Sequence, residues 1–329
     1  MNRVQPYPVK FKPIPQERIW GGHEMKPVFH ADRISEPIGE YWLVSGHPTA
    51  LSVVENGPLA GKSLNELTAQ FPDAYLGASP QPRFPVLIKL IEAQADLSVQ
   101  VHPDDLYAQA HEGDFGKSEA WYIVKAPASG QVVYGHRFRS RDEYFRAVEE
   151  GHVRDYLGYR NVAQGDLVYV PARTLHALLA GTTLIEVQQT SDVTYRVYDW
   201  DRVDQQGKPR ALHVNKAADV LNYAAAPETT DGPAAPRAVA GGTCELLIRC
   251  PYFQIERLQL ASGAAYSVES GDAPVVLIGV SGTGRLSWPG AADEQVRPYH
   301  PWMVPACMTD AVVRADEPMV LLQVTYGRT

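Results

Sequence analysis

The chain has 329 residues, of which 45% are hydrophobic and 21% charged, with a net charge of −8. That is an ordinary balance for a globular protein long enough to hold two domains, each with its own core. A surface that is negative overall does not attract nucleic acid or an anionic membrane, so a phosphorylated ligand would need a local basic pocket. The cysteines Cys244, Cys250 and Cys307 are odd in number and have no framework spacing, so they are expected to be buried free thiols and not disulfides. The proline-rich, charged start lacks the apolar core of a signal peptide, and no run is apolar enough to span a bilayer, so the expected location is cytoplasmic.

In chain order, the first part reads as short alternating segments: YWLVSGH, LSVVENG, FPVLIKLIEA, LSVQVHP, EAWYIVKA and QVVYGHRF. Gly, Pro, Asn or Asp punctuates most of them, the pattern of a β-sandwich or barrel. Two stretches interrupt it with helical spacing, Ser63–Leu76 and Ser140–Leu157, and Gly151 is placed to end or kink the second. Pro103-Asp104-Asp105 suits either a helix N-cap ahead of LYAQAHEG or carboxylates near a site. Strands follow in GDLVYVPART, HALLAG, TTLIEVQQTS and TYRVYDWD, then a short helix at Asn215–Tyr223. An Ala-, Pro- and Gly-rich stretch reads as a linker near residues 223–240. Beyond it lies a smaller β-domain containing GTGRL at Gly282–Leu286, read as a hairpin turn. GDLVYVPARTLHAL and YHPWMVPACMTDAV share a rhythm of strand, proline, turn and strand, a degenerate internal repeat with Asp310 and Ala311 near the place of a histidine.

Gln100 and His102 alternate onto one face of a strand. Glu119 opens the strand EAWYIV, and His176 follows a proline-bounded strand. Each stands among apolar neighbours, where an unpartnered polar group costs about 2–7 kcal/mol. One divalent ion would satisfy all four, and two imidazoles with two oxygens favour zinc, with iron, manganese, cobalt and nickel allowed by residue type. Three cations are candidates for an anionic substrate. Lys117 lies two positions before Glu119, Lys89 is a lysine within the apolar run FPVLIKLIEA, and Arg196 lies in an aromatic-rich strand where Asp199 or Asp201 offers a structural pair. His111, His136, His152 and His213 are expected to be solvated.

Several ordered blocks resemble type I mannose-6-phosphate isomerases, in particular the short bacterial form. They are ERIWGG at Glu17–Gly22, IGEYWLVSGHP at Ile38–Pro48, NGPLAGKSL at Asn56–Leu64, FPVLIKLIEA, LSVQVHPDD, GKSEAWYIV, VPARTLHAL and EVQQTSDVTYRVYDWDR at Glu186–Arg202. The resemblance covers most of the first two-thirds of the chain. It implies a mainly β protein with two cupin-like jelly-roll domains and a small helical insertion. In sequence terms these are a metal-binding catalytic domain over 1–222, with the insertion near 140–157, the linker over 223–240, and a cupin-like domain over 241–329 without a metal site of this type. It implies one Zn2+ per chain on Gln100, His102, Glu119 and His176, an active-site Arg196, and the lysines Lys89 and Lys117. The implied reaction interconverts mannose 6-phosphate and fructose 6-phosphate. Arg196 and Lys117 are the catalytic candidates, and Lys89, Lys117 and Arg196 bind substrate. Departures are Lys117-Ser118-Glu119 for the usual K-T-E or K-P-E, and Trp42-Leu43-Val44-Ser45 for W-E-V/L-S, which drops a carboxylate. The partner implied is a small phosphorylated sugar, with no nucleic acid and no membrane; the oligomeric state is open, a monomer included. The competing readings are a different cupin metalloenzyme, such as a dioxygenase, and a sugar-phosphate-binding cupin without turnover.

Overall fold

This computed structural model describes residues 5–203, 207–224, 230 and 232–327. The chain forms two compact units, Met1–Ile14 with Trp42–Ile88 and Thr229–Thr329, and Pro15–Tyr41 with Lys89–Glu228. This partition is discontinuous, unlike the in-order division read from the sequence. The second break falls close to the expected linker, in which residues 225–229 and 231 lie outside those described. Residues Arg237–Val239 of that linker form a strand instead.

The strands in chain order are β1 Val9–Lys10, β2 Ile14–Gly22, β3 Ile38–Val44, β4 Val86–Ala93, β5 Val99–Val101, β6 Glu119–Lys125, β7 Gln131–His136, β8 Leu157–Asn161, β9 Leu167–Val170, β10 His176–Ala177, β11 Thr182–Gln189 and β12 Tyr195–Tyr198. They make one sheet of order β2-β3-β4-β11-β6-β9 and a facing one of order β12-β5-β10-β7-β8. The rest are β13 Arg237–Val239, β14 Gly242–Arg249, β15 Gln254–Leu260, β16 Ala265–Ser267, β17 Val275–Ser281, β18 Gly284–Ser287, β19 Glu294–Val296, β20 Pro301–Val304, β21 Val312–Ala315 and β22 Met319–Thr325. Their sheets run β1-β20-β17-β22-β15-β14-β13 and β16-β21-β18-β19. Adding eleven to the label of every strand from β2 to β11 converts the first pair of sheets into the second, apart from the edge strands β1 and β12. The fold is therefore mainly β, with two antiparallel jelly rolls of the same strand order, as the repeated rhythm suggested.

The repeat extends to backbone detail. Arg173 and Cys307 each stand two residues after the proline of a Val-Pro-Ala turn, and both are left-handed, with φ of 72° and 60°. That conformation is uncommon outside glycine. Cys307 is exposed, against the expectation of a buried thiol, because this turn carries it outward; Cys244 is buried, and all three thiols are free.

Among the described α-helices, three of the five begin at a side-chain cap. Ser63 and Glu66 form a reciprocal capping box for α1, Leu64–Gln70, and α2 follows at Pro72–Tyr75. Asp104 accepts from the Tyr107 N–H and caps α3, Asp105–His111, so the N-cap reading of this turn holds. Ser140 caps α4, Arg141–Glu149. That helix is shorter than the expected Ser140–Leu157, because Gly151 turns left-handed at φ 73° and Leu157 already belongs to β8. The last helix, α5, spans Val214–Val220. Val53 and Val54 make only isolated bridges in place of the strand expected in LSVVENG. GTGRL is not a hairpin: β17 and β18 lie in different sheets, so Gly282, at φ 72°, turns the chain from one sheet to the other. No helix among the described residues is long and apolar enough to cross a membrane.

Strand alternation sorts the residues of the first barrel. Val99, Val101, Val133, Ala177, Tyr195 and Val197 face a core completed by α4 and α5. The opposite faces of these and the facing strands hold Trp20, Ile91, Trp121, Ile123, Val132, Val168, Leu178 and Leu184 in the barrel interior. Period-two geometry therefore turns Gln100, His102, Glu119, His176, Lys89, Glu186 and Arg196 toward that interior.

Candidate metal centre and substrate cavity

His102, Glu119 and His176 are all about 1% exposed, and each offers a ligand atom within 4.8 Å of those of the other two. The His102 Nε2 lies 3.1 Å from Glu119 Oε1, and the His176 Nε2 lies 3.7 Å from Glu119 Oε2. Each ring is fixed from behind. His102 Nδ1 is 2.8 Å from the Val193 carbonyl, and His176 Nδ1 is 2.9 Å from the Thr174 carbonyl. A carbonyl only accepts, so each Nδ1 carries the proton and each neutral Nε2 presents a lone pair. Burial, followed by the neighbouring Lys117 charge, pushes His102 down to about 3. His176 is likewise lowered by burial. Both rings are therefore neutral at pH 7, and their Nε2 atoms have no hydrogen-bond partner. Three buried lone-pair atoms converge on one another, an arrangement that a cation relieves. Backbone carbonyls behind both imidazoles are the outer-shell support typical of metal-ligating histidines.

Gln100 lies on the adjacent strand β5 and lines the cavity. Its backbone lies opposite His176 in the β5–β10 register and opposite Arg196 in the β5–β12 register. The three residues form one row across three strands.

The carboxylate of Glu119 is positioned on both sides. Lys117 Nζ lies 3.1 Å from Oε1, and the Trp121 indole N–H donates to Oε2 at 3.0 Å. Burial works against its charge, but Lys117 and then His102 outweigh that and hold the carboxyl well below the usual range. The same indole N–H reaches Glu186 Oε2 at 3.1 Å. Burial, and then the Glu119 charge, raise Glu186 to about 7. Lys89, 3% exposed, lies 3.3 Å from Glu186 and 3.9 Å from Glu40, and Arg18 lies 3.2 Å from Glu40. Burial penalises the Lys89 ammonium, yet Glu40 and then Glu186 outweigh it and raise its pKa.

A cavity of about 270 Å³ opens here, lined by Arg18, Lys89, Gln100, Lys117, Glu186 and Arg196, among others. The volume lies near the lower end of the ~300–1,000 Å³ typical of small-molecule sites.

A family model, phosphomannose isomerase type I, catalytic domain, matches residues 9–120. A probable mannose-6-phosphate isomerase of Bacillus subtilis (strain 168) is 38% identical over 285 residues, covering 85% of this chain and 88% of that protein. The chain belongs to the type I phosphomannose isomerase family. A mannose-6-phosphate isomerase of Streptococcus mutans is 39% identical over 272 residues, covering 82% of this chain and 84% of that one. The crystal structure of the Bacillus subtilis mannose 6-phosphate isomerase superposes with a TM-score of 0.88 at 32% identity, covering 97% of this chain and 99% of that one.

Of the site residues expected from sequence, the phosphomannose isomerase fold brings His102, Glu119, His176 and Lys117 into direct contact and lines the cavity with Gln100, Lys89 and Arg196. Asp199 is paired with Arg202 and Arg210, not with Arg196. Among the histidines expected to be solvated, His111 and His152 are exposed, but His136 and His213 are half-buried. His213 Nδ1 accepts from the Arg196 backbone N–H at 3.0 Å. Asp105 is turned away from the metal centre, its carboxylate taking the Gly116 N–H at 2.8 Å. Sequence reasoning missed Arg18, Glu40, Glu186 and Arg210. Glu40 and Glu186 carried a usable signal: each is a single charge in its strand.

Proposed function

We propose that this chain is a mannose-6-phosphate isomerase that interconverts mannose 6-phosphate and fructose 6-phosphate, and that Gln100, His102, Glu119 and His176 hold one Zn2+. The observation that carries the reading is the convergence of two buried, unpartnered imidazole nitrogens on the Glu119 carboxylate beside a cation-lined cavity. Two neutral imidazoles and a carboxylate are a donor set suited to zinc, with Gln100 adding an uncharged oxygen. Bound zinc would polarise a sugar oxygen.

The rest of the work falls to the side chains. Aldose–ketose isomerisation moves a proton between C1 and C2 and places negative charge on the neighbouring oxygen. Lys117, fixed on Glu119, puts an ammonium at the edge of the metal centre, where it opposes charge build-up on a substrate oxygen. Arg196 supplies a guanidinium along the same row, toward the anionic end of the substrate. Lys89 binds substrate indirectly, by neutralising Glu186 and Glu40 and so keeping that wall from repelling a phosphosugar. The substrate is a small phosphorylated sugar.

The test is a coupled assay with mannose 6-phosphate, run beside elemental analysis of the purified protein. Wild type should turn the sugar over and carry zinc, and His102→Ala should lose both. Full activity in metal-depleted wild type would refute the site.

A further inference from the structure

Five cations line the cavity: Arg18, Lys89, Lys117, Arg196 and Arg210. Three of them are committed to carboxylates at the metal end. Arg18 faces Glu40, Lys89 faces Glu186 and Glu40, and Lys117 faces Glu119. Three positive charges there meet four carboxylates, since Asp192 also lines the cavity and acts on Lys89, so that wall has no positive excess. The other end differs. Arg202 and Arg210 share the single carboxylate of Asp199. The charges acting on Arg196 are those of Arg210, Asp199 and Arg202. Three guanidiniums against one carboxylate leave an excess of two positive charges, and a phosphate monoester carries about −1.5 to −2 at pH 7.

The local geometry keeps donors free for such a ligand. Arg210 spends Nε, at 2.7 Å, and Nη2 on Asp199, and Arg196 spends Nη1 on the Ala211 carbonyl at 2.8 Å. The Arg196 Nε is buried without a partner. His213 donates its backbone N–H to the Arg196 carbonyl at 2.8 Å and takes the Arg196 N–H on its ring. The segment 210–213 is thus stitched to β12 around Arg196, which brings Arg210 to the cavity wall. Arg196 stands two strands from His176 along the row through Gln100, about 10 Å between backbones at ordinary strand spacing.

We propose that Arg210 is a specificity-determining residue that, with Arg196, clamps the substrate's phosphate at the end of the cavity away from the metal centre. This rests on the isomerase reading for the identity of the substrate, but the clamp itself is specific for a phosphate dianion. A planar guanidinium fork, held in place by Asp199, matches phosphate oxygens better than a lysine ammonium does. Lys89 and Lys117 are left to the reacting end.

The experiment compares wild type, Arg210→Gln, Arg210→Lys and Lys208→Gln. Asp199 keeps Arg202 when Arg210 is replaced, so no buried carboxylate is orphaned. In Arg210→Gln, KM for mannose 6-phosphate should rise roughly ten- to hundredfold, the scale of one lost charge-assisted contact, while kcat changes far less. Inhibition by inorganic phosphate should weaken by a similar factor, with zinc content unchanged. Arg210→Lys should recover part of the loss. Lys208 is exposed on the same segment and does not line the cavity, so Lys208→Gln should leave both constants near wild type. Unchanged KM and phosphate inhibition in Arg210→Gln would overturn the proposal, and so would an equal rise in Lys208→Gln. If Arg210→Gln does not fold, Arg210→Lys makes the same comparison. Calorimetry of inorganic phosphate with wild type and the Arg210 variants reads the clamp without turnover: loss of a heat signal supports it, and an unchanged signal overturns it. Absence of mannose 6-phosphate turnover in wild type would instead sink the isomerase reading.

Discussion

Trp121 gives the metal centre a test that does not depend on activity. Its single indole N–H lies 3.0 Å from Glu119 and 3.1 Å from Glu186. Replacement by Phe removes the donor and keeps an aromatic ring in the cluster of Trp20, Ile91 and Leu178. A hydrogen bond to a charged group contributes about 1.5–3 kcal/mol. Without it, Glu119 Oε2 is free to rotate, and its repulsion with Glu186 goes unshielded. Loss of an outer-shell partner typically weakens metal binding about 10–100-fold, which is the same range of energy. Trp121→Phe should therefore raise the zinc dissociation constant by about that factor in competition against a chromogenic chelator. The smaller ring also costs packing, on the order of 0.5–3 kcal/mol, read separately as a lower Tm of the metal-free protein. Trp20→Phe, in the same cluster, should lower Tm and leave zinc affinity within about twofold of wild type. If Trp121→Phe behaves like Trp20→Phe, the indole is only packing and the positioning argument fails.

Lys89→Met should destabilise the protein by about 3 kcal/mol in urea unfolding, the low end for breaking a buried pair, because Glu40 keeps Arg18 and Glu186 already sits near 7; an unchanged midpoint would show that the lysine contributes no net stability. For Asp199, burial works against ionisation, but the hydrogen bonds from Arg210 and then Arg202 outweigh it and lower its pKa. A carboxyl with a depressed native pKa stabilises the fold above its unfolded pKa, about 3.9, and loses that contribution as pH falls through the native value. Asp199→Asn should thus be less stable than wild type at pH 7, with the gap closing below about pH 4; a gap independent of pH would show that the carboxylate's charge is not what matters.

The sequence reading reached the metal centre because strand geometry is simple. Gln100 is on β5 with His102 just past its end, and Lys117 stands two residues before Glu119, which opens β6. Each pair therefore shares a face, and the family motifs pointed to His102, Glu119 and His176, which the fold brings together. What stayed hidden depends on pairing between distant strands. Glu186 meets Glu119 only because β11 and β6 are neighbours, with Gln188 opposite Glu119. Arg210 lies in an irregular segment with no periodicity to read, and it reaches the cavity through Asp199 and the bonds around Arg196. The helix at Ser140 overran for a local reason: apolar spacing continues past Gly151, but the left-handed turn there breaks the helix. GTGRL misled because a tight glycine turn looks alike whether it joins neighbours in one sheet or crosses between two.

The duplicated barrel shows which part of the site belongs to the fold and which to the side chains. Glu119 pairs with Val170, the residue before Pro171, and Val275 pairs with Val304, the residue before Pro305. Val275 therefore stands where Glu119 does. Five residues beyond each proline come His176 and Asp310. In the β16–β21 register Ser267 is opposite Val312, and the Val268 N–H continues the ladder to the Ala311 carbonyl at 2.8 Å. Two residues further, Glu269 is opposite Asp310, as Gln100 is opposite His176, and Gly271 takes the place of His102. The second barrel thus keeps the strand order, the turn and the left-handed residue, and puts Glu269, Gly271, Val275 and Asp310 at the positions of Gln100, His102, Glu119 and His176. Two of these have no donor, and the two acids are exposed, so both carboxylates stay in water instead of being driven together by burial. The jelly roll supplies converging positions in both halves; among the described residues a cation is called for in the first, where two neutral imidazole nitrogens are buried without a partner beside the Glu119 carboxylate.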